Sequence, residues 1–202
     1  MTDQLRTDLA ASAPLIVVKV GTRVLTGPDG LLDDARIEAL GRQFDSILTQ
    51  GRRVVLVSSG AVGAGMGRMG LTKRPQELAH LQAVAAIGQS CLIEAYERVL
   101  RAQGRHAAQV LLVADDLKDR ARYLNIRNTL RALLDYGAIP IINENDTVSV
   151  EELRTSFGDN DRLAALVTTL LAADLLVLLS DVDGVFDRHP SEAGEHAVDV
   201  GE

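Results

Sequence analysis

Lys19 stands inside an apolar run, Val17-Val18-Lys19-Val20, and is followed at once by Gly21. The chain uses lysine sparingly, with three (Lys19, Lys73 and Lys118) against 18 arginines. A compact ammonium at the end of a buried strand, beside a glycine that admits close approach, suits a phosphate whose charge must be neutralised. The bland alternative is an edge-strand lysine whose stem follows apolar surface while its head reaches water. Ser58-Ser59-Gly60 follows a second apolar run and opens a glycine-dense stretch (Gly60, Gly63, Gly65, Gly67, Gly70). A strand, a tight turn and a helix start would present free backbone N–H groups to an anion there. Asn143-Glu144-Asn145-Asp146 and Gly158-Asp159-Asn160-Asp161 are the polar cores of one long predicted loop, the second opening a helix. Two carboxylates spaced as Asp159 and Asp161 are can orient a metal-bound phosphate or hold an amine, although such segments also cap helices. Ser180-Asp181-Val182-Asp183-Gly184 follows the last apolar run, where it could meet a ribose or phosphate or form a plain Asp-Gly turn.

Other chemistries recede on the same evidence. His80, His106, His189 and His196 all fall outside these segments and no His-Glu-x-x-His pattern occurs, which argues against histidine bases and zinc hydrolysis. Met66 follows Gly65 where a P-loop would place lysine. Gly65-x-Gly67-x-x-Gly70 has the spacing of a dinucleotide fingerprint, but it begins eight residues past the preceding apolar run and no acid-tipped strand follows. Close helix packing is the plainer reading of Gly63 and Gly67. The Asp181-x-Asp183-Gly184 segment lacks the third acid and terminal glutamate of a calcium loop. A reaction that needs positioning and charge neutralisation more than proton transfer fits best, and phosphoryl transfer is such a reaction.

Five apolar runs must position these groups: Leu15–Val20, Val54–Val57, Val110–Val113, Ile139–Ile142 and Leu175–Leu179. They are continuous rather than alternating, as strands covered on both faces of a parallel sheet are. Helical patterns at 33–50, 75–103, 119–136 and 159–173 separate them. Asp33-Asp34 and Asp159 read as N-terminal caps, and Gly51, Gly104 and Gly137 sit where C-terminal caps belong. Repeated strand–helix–strand units predict an α/β, three-layer αβα sandwich with a mainly parallel central sheet. Ligands in such sheets bind beyond the carboxyl ends of the strands, where all five chemistry-bearing segments fall. Cys91 is expected to pack within the 75–103 helix. The predicted domain runs from 14 to 187, between a frayed or disordered start (1–13) and a disordered tail (188–202) rich in Pro, Ser, Gly and acids.

Composition bounds the partners. The 202 residues are 47% hydrophobic and 24% charged, ordinary for a globular domain, with a net charge of −7. That balance argues against a nucleic-acid surface built on bulk charge and against a polybasic membrane patch. One cysteine excludes an internal disulfide framework. No apolar run reaches the roughly 18–20 residues of a membrane span, and the first residues lack the order of a signal peptide. A cytoplasmic location is the expectation.

Val17-Val-Lys-Val-Gly-Thr22, Val57-Ser-Ser-Gly-Ala-Val62, Ile142-Asn-Glu-Asn-Asp146, Gly158-Asp-Asn-Asp161 and Leu179-Ser-Asp-Val-Asp-Gly-Val185 occur in the order typical of the amino acid kinase family. The chain resembles that family over residues 15–186. The Asn-Glu-Asn-Asp and Gly-Asp-Asn-Asp pair, with Arg120-Ala-Arg-Tyr-Leu-Asn125-x-Arg127-x-Thr129 upstream, is similar to the members that phosphorylate glutamate. The resemblance implies ATP-dependent phosphorylation of the side-chain carboxylate of L-glutamate, the first step of proline biosynthesis, with Mg²⁺. By it, Lys19 would contact the phosphates; Ser59, Asp146 and Asn160 would hold glutamate; Asp159 and Asp161 would organise the phosphate side; and Ser180 and Asp181 would border the nucleotide. It also implies feedback by proline and a homo-oligomer. Members acting on aspartate, acetylglutamate or UMP, and a non-catalytic module sensing glutamate or proline, are the alternatives. The family continues into a second glycine-rich loop with a further phosphate-binding lysine, and some members add an RNA-binding-like domain; no lysine follows Lys118 here. The expectation is a kinase domain incomplete at its C-terminal end, binding glutamate better than ATP and turning over slowly or not at all.

Overall fold

A computed structural model describes residues 2–148 and 159–181. In chain order these form α1 (Thr2–Ser12), β1 (Leu15–Val20), the single turn α2 (Thr22–Leu25), α3 (Asp34–Thr49), β2 (Arg53–Ser58), α4 (Ala61–Met69) and α5 (Leu78–Arg101). Then follow β3 (His106–Leu112), a 3₁₀ turn (Ala114–Leu117), α6 (Arg120–Asp135), β4 (Ala138–Glu144), α7 (Asp159–Leu171) and β5 (Leu175–Leu179). The described strands make one sheet in the order β3-β4-β2-β1-β5, with every pairing parallel. Helices cover both faces, so the α/β sandwich expected from the apolar runs is the fold found.

Strand alternation divides the core in two. Ile16, Val18 and Val20 of β1, Val54 and Leu56 of β2, and Ile139 and Ile141 of β4 pack toward α3 and α5 with Phe44, Leu92, Tyr96 and Leu100. Leu15, Val17, Val55, Val57 and Ile142 pack the other way, against Leu130, Leu134, Leu163 and Val167 of α6 and α7. Val17, Val20, Val54, Val55 and Val57 are fully buried, each side chain stabilising the fold by about 1.5–3 kcal/mol of transfer free energy. Among the described residues no helix is long and apolar enough to cross a membrane.

The helix signals hold at their ends. Asp33 caps α3, its carboxylate accepting from the Ala35 and Arg36 amides at 3.0 and 3.2 Å. Gly51, Gly104 and Gly137 take positive φ after α3, α5 and α6, where a side chain would be strained.

Four expectations change. Composition suggested a frayed or disordered start, and Thr2–Ser12 is placed as an α-helix, its Leu, Ala, Gln and Arg residues being good helix formers even with little packing. The helix predicted from 75 starts at Leu78, and the helix start expected after Ser58-Ser59-Gly60 is a separate helix, α4, over the glycine-dense stretch. β3 begins at His106 rather than Val110; as an outer strand among the described residues it tolerates the polar Gln109 and small alanines that hid it. β4 runs on to Glu144, so half of the Asn-Glu-Asn-Asp segment is strand and not loop. The tail 188–202 lies outside the described residues.

Candidate active site at the carboxyl ends of the strands

Lys19 shares a strand face with Leu15 and Val17, which turns it toward α7. β1 is an interior strand, paired to β2 and β5 on either side, so the edge-strand reading of this lysine does not apply. Its side chain is only 12% exposed, and its Nζ lies 2.7 Å from Oδ1 of Asp161 in the first turn of α7. Gly21 keeps space open beside it: a Cβ there would stand 3.4 Å from Nζ. The result is a cation at the mouth of the sheet, with Asp161 as its carboxylate partner among the described residues.

The Ser58-Ser59-Gly60 turn is built between β2 and α4. The Ser59 amide donates to the Val20 carbonyl at 3.1 Å, and Gly60 adopts φ of 99°, open to glycine, to start the helix. The first amides of α4 therefore stand at the same edge as Lys19. Gly63 and Gly67 are packing glycines, as expected: a Cβ would lie 2.7 Å from the Gly30 carbonyl oxygen in one and 3.0 Å from Leu31 in the other. Gly65 is where α4 crosses α5. A Cβ there would lie 1.9 Å from the Val84 carbonyl, and one on Gly88 would lie 1.8 Å from that of Ala61.

Asn160, on the first turn of α7, reaches across the strand ends. Its Nδ2 lies 2.6 Å from Ser59 Oγ and 3.3 Å from both the Ser58 carbonyl and Asn143 Oδ1. Its Oδ1 is buried with no hydrogen-bond partner among the described residues. Asn143 in turn donates to Gln89 Oε1 at 2.8 Å, and Ser58 Oγ is 3.0 Å from the Tyr96 hydroxyl. Burial holds the Tyr96 phenol protonated well above its ordinary range, the Ser58 contact opposing that shift only in part.

Asp146 follows β4 in a turn tied to β3 by the Asn145 amide, which donates to the Leu112 carbonyl at 2.8 Å. Loss of water raises its pKa to about 6, against the nearby charge of Arg74. No contact joins it to Lys19, Ser59 or Asn160 among the described residues. Asp181 is paired at 2.7 Å with Arg23 of α2, both side chains exposed, and that hydrogen bond holds its carboxyl below the usual range. Ser180 follows β5 in the chain. Asp159 begins α7 in the backbone, but its side chain and Gly158 lie outside the described part of the structure.

So Lys19, Asp161, Ser59 and Asn160 come together as one group, joined by Asn143. Gln89 and Tyr96 were not among the residues the motifs pointed to. Their signal was available as two polar residues seven apart on the otherwise apolar face of the 78–101 helix. A cavity of about 270 Å³ lined by Leu15, Arg53, Arg131, Leu134, Asp135 and Leu171 opens at the opposite, amino-end edge of the sheet, away from all these groups.

Residues 14–201 match the amino acid kinase family profile. The chain belongs to the amino acid kinase family. Curated relatives include the glutamate 5-kinases of Rhodopirellula baltica, 52% identical over 93% of this chain and 48% of that protein, and of Thermus thermophilus, 54% identical over 90% and 48%. That of Clostridium acetobutylicum is 48% identical over 87% of this chain and 65% of its own. The chain thus spans about half the length of most such relatives. Among solved structures, a UMP kinase from Bacillus anthracis superposes with a TM-score of 0.56 over 92% of this chain and 72% of its own, at 15% identity. That likeness shows the amino acid kinase fold.

Proposed function

We propose that this amino acid kinase chain carries the acceptor side, and the first phosphate-binding cation, of a site that transfers the γ-phosphoryl group of ATP to the side-chain carboxylate of L-glutamate. The observation that carries the reading is the joined group itself. A nearly buried ammonium, Lys19, lies against Asp161, and Asn160 of the same helix turn meets Ser59 at the next strand end. Similarity to the glutamate 5-kinases supports glutamate as the acceptor.

The chemistry asks little of proton transfer. A glutamate side chain, with a pKa of about 4.3, is already ionised at neutral pH. One of its oxygens attacks the γ-phosphorus, the bond to the β-phosphate oxygen breaks, and ADP leaves with the electron pair; the product is L-glutamyl 5-phosphate. The obstacle is repulsion between anions, which a fixed cation and preorganised amides lower most. Lys19 supplies that cation to the transferring group, and the α4 amides supply dipoles beside it. Ser59 and Asn160 hold the amino acid, and Asp146 takes its ammonium. Ser180 and Asp181 border the nucleotide.

Mg²⁺ binds through one or two carboxylates plus phosphate oxygens, and Asp161, with Asp159 beside it in sequence, fits that donor set. Bound there, the metal would neutralise phosphate charge. A compartment without secretion, the cytoplasm, accords with a substrate and nucleotide of this kind.

Calorimetric titration and a coupled ADP-release assay across L-glutamate, L-aspartate, N-acetyl-L-glutamate and UMP test the proposal. Glutamate should be preferred. Tighter binding or faster turnover with any of the other three would overturn it, and glutamate binding with no ATP-dependent turnover, both in this chain and in one extended to the length of its relatives, would favour a sensing module.

A further inference from the structure

We infer that Gln89 of α5 is a positioning residue: it orients the Asn143 amide, which in turn sets which atom of Asn160 is offered to a ligand. The inference rests on the reading of Asn160 as a substrate-holding group.

Gln89 lies in the buried face of α5 among Val84, Ala85, Gly88, Leu92, Ala95 and Tyr96, and is 7% exposed. An amide placed in an apolar face is costly unless its polar atoms are used. Its Oε1 is used, accepting from Asn143 Nδ2 at 2.8 Å. Asn143 is itself 3% exposed, so water offers it no ready substitute.

Backbone groups of single polarity fix the direction of the whole chain of amides. The Glu144 N–H can only donate, and it meets Asn143 Oδ1 at 2.9 Å. Asn143 must therefore turn its NH₂ group away, toward an acceptor, and Gln89 Oε1 is that acceptor. At the far end the Ser58 carbonyl can only accept, and it faces Asn160 Nδ2 at 3.3 Å, as does Asn143 Oδ1. The Asn160 NH₂ group is thereby held inward, and its Oδ1, buried and without a partner among the described residues, is the atom left for a donor. An ammonium is a donor of that kind.

Gln89 is itself placed by main chain. It follows Gly88, the residue at which α5 touches the start of α4, where a Cβ would lie 1.8 Å from the Ala61 carbonyl. The same crossing that seats the α4 amides therefore seats Gln89. Without its oxygen, the Asn143 NH₂ is buried with no acceptor; the Glu144 N–H still holds the Asn143 oxygen, but the amide loses the second of its two anchors, and the oxygen that Asn160 Nδ2 meets is no longer fixed in place.

The test is a double-mutant cycle on the 202-residue chain, with L-glutamate affinity measured by calorimetry for the wild type, Gln89→Met, Asn160→Ala and the double variant. Gln89→Met should weaken binding about tenfold, the scale of one good hydrogen bond, while Gln89→Glu, which keeps an accepting oxygen, should recover most of it. Because Gln89 acts only through Asn160, the double variant should bind no more weakly than Asn160→Ala alone. Unchanged affinity in Gln89→Met, or penalties that add, would overturn the inference. A purely structural role would lower the melting temperature and leave the cycle additive. If the wild type does not bind glutamate, the functional reading falls separately, and the side-chain NH₂ signals of Asn143 and Asn160 in ¹⁵N NMR decide the positioning. Slow exchange of both in the wild type, and a shift of the Asn160 pair in Gln89→Met, support it; fast exchange in the wild type, or an unmoved Asn160 pair, overturns it.

Discussion

Lys19 is the cation most sharply placed by its neighbours. It shares a face with aliphatic side chains, is held by Asp161 at 2.7 Å, and sits where the sheet opens. Lys19→Met should lower turnover by about 10²–10³-fold, the loss typical of one preorganised charge-stabilising donor, while glutamate affinity stays within about twofold because the charge acts on the phosphoryl group. ADP release and calorimetry on the same preparation separate the two; near-normal turnover would remove Lys19 from the chemistry. Asp146 makes a prediction in pH. Its folded-state pKa of about 6 lies above the unfolded value of 3.8, so the native state holds its proton more tightly. Stability from this group is greatest below the unfolded value, declines as pH rises toward about 6, and is level beyond. Asp146→Asn should therefore stabilise the fold at pH 7.5, by no more than about 1–2 kcal/mol for a half-buried group, read as a raised melting temperature, with the gap closing at pH 4. Ligand binding runs the other way. If the ionised carboxylate takes the substrate ammonium, glutamate affinity in the wild type should fall as pH drops through about 6, and a level profile would take Asp146 out of the pocket.

The helices decide where these side chains can stand. α4 and α5 cross through Gly65 and Gly88, backbone against backbone, and no side chain fits at either position. Gly88→Ala forces the helices apart and should cost about 1–3 kcal/mol or more, as overpacking does, read as a lowered urea midpoint. It should also weaken glutamate binding, because the Ser59 turn and Gln89 both hang from that crossing; a variant of unchanged stability and affinity would contradict the contact. At α3, Asp33→Ala removes a cap bonded to two amides and should cost about 1 kcal/mol, lowering the urea midpoint with an unchanged slope.

The sheet order sets the stability gradient of the whole molecule. β2 and β1 are flanked by strands on both sides and covered by helices on both faces, whereas β3 and β5 are its outer strands among the described residues. Amides of Val55–Val57 and Val17–Val18 should exchange slowest, near the global unfolding free energy, and those of Ala107–Gln109 faster. The reverse ranking would contradict the strand order. The same order brings the ends of β1, β2 and β4 together, so one rigid edge carries Lys19, Ser59 and Asn143, and α7 closes it with Asn160 and Asp161.

Continuous aliphatic runs separated by helical periods were enough to specify a doubly covered parallel sheet, because strands buried on both faces have no alternative composition. Asp33, Gly51, Gly104 and Gly137 marked helix ends for local reasons, a side-chain acceptor or a positive φ, that need no tertiary partner. The site motifs were legible for the same cause: lysine within valines and acids after strands are departures from local expectation. Tertiary structure alone decided the pairings. Asp161 meets Lys19 across 142 residues of chain, and Asn160 meets Ser59 across 101, distances over which periodicity carries no information. It also decided how the glycine-dense helix packs, because only the fold brings Gly65 of α4 against Gly88 of α5, backbone to backbone. Gln89 shows the limit most clearly: an isolated polar residue on an apolar helix face can be noticed in sequence, but its purpose exists only where β4 places Asn143 against it.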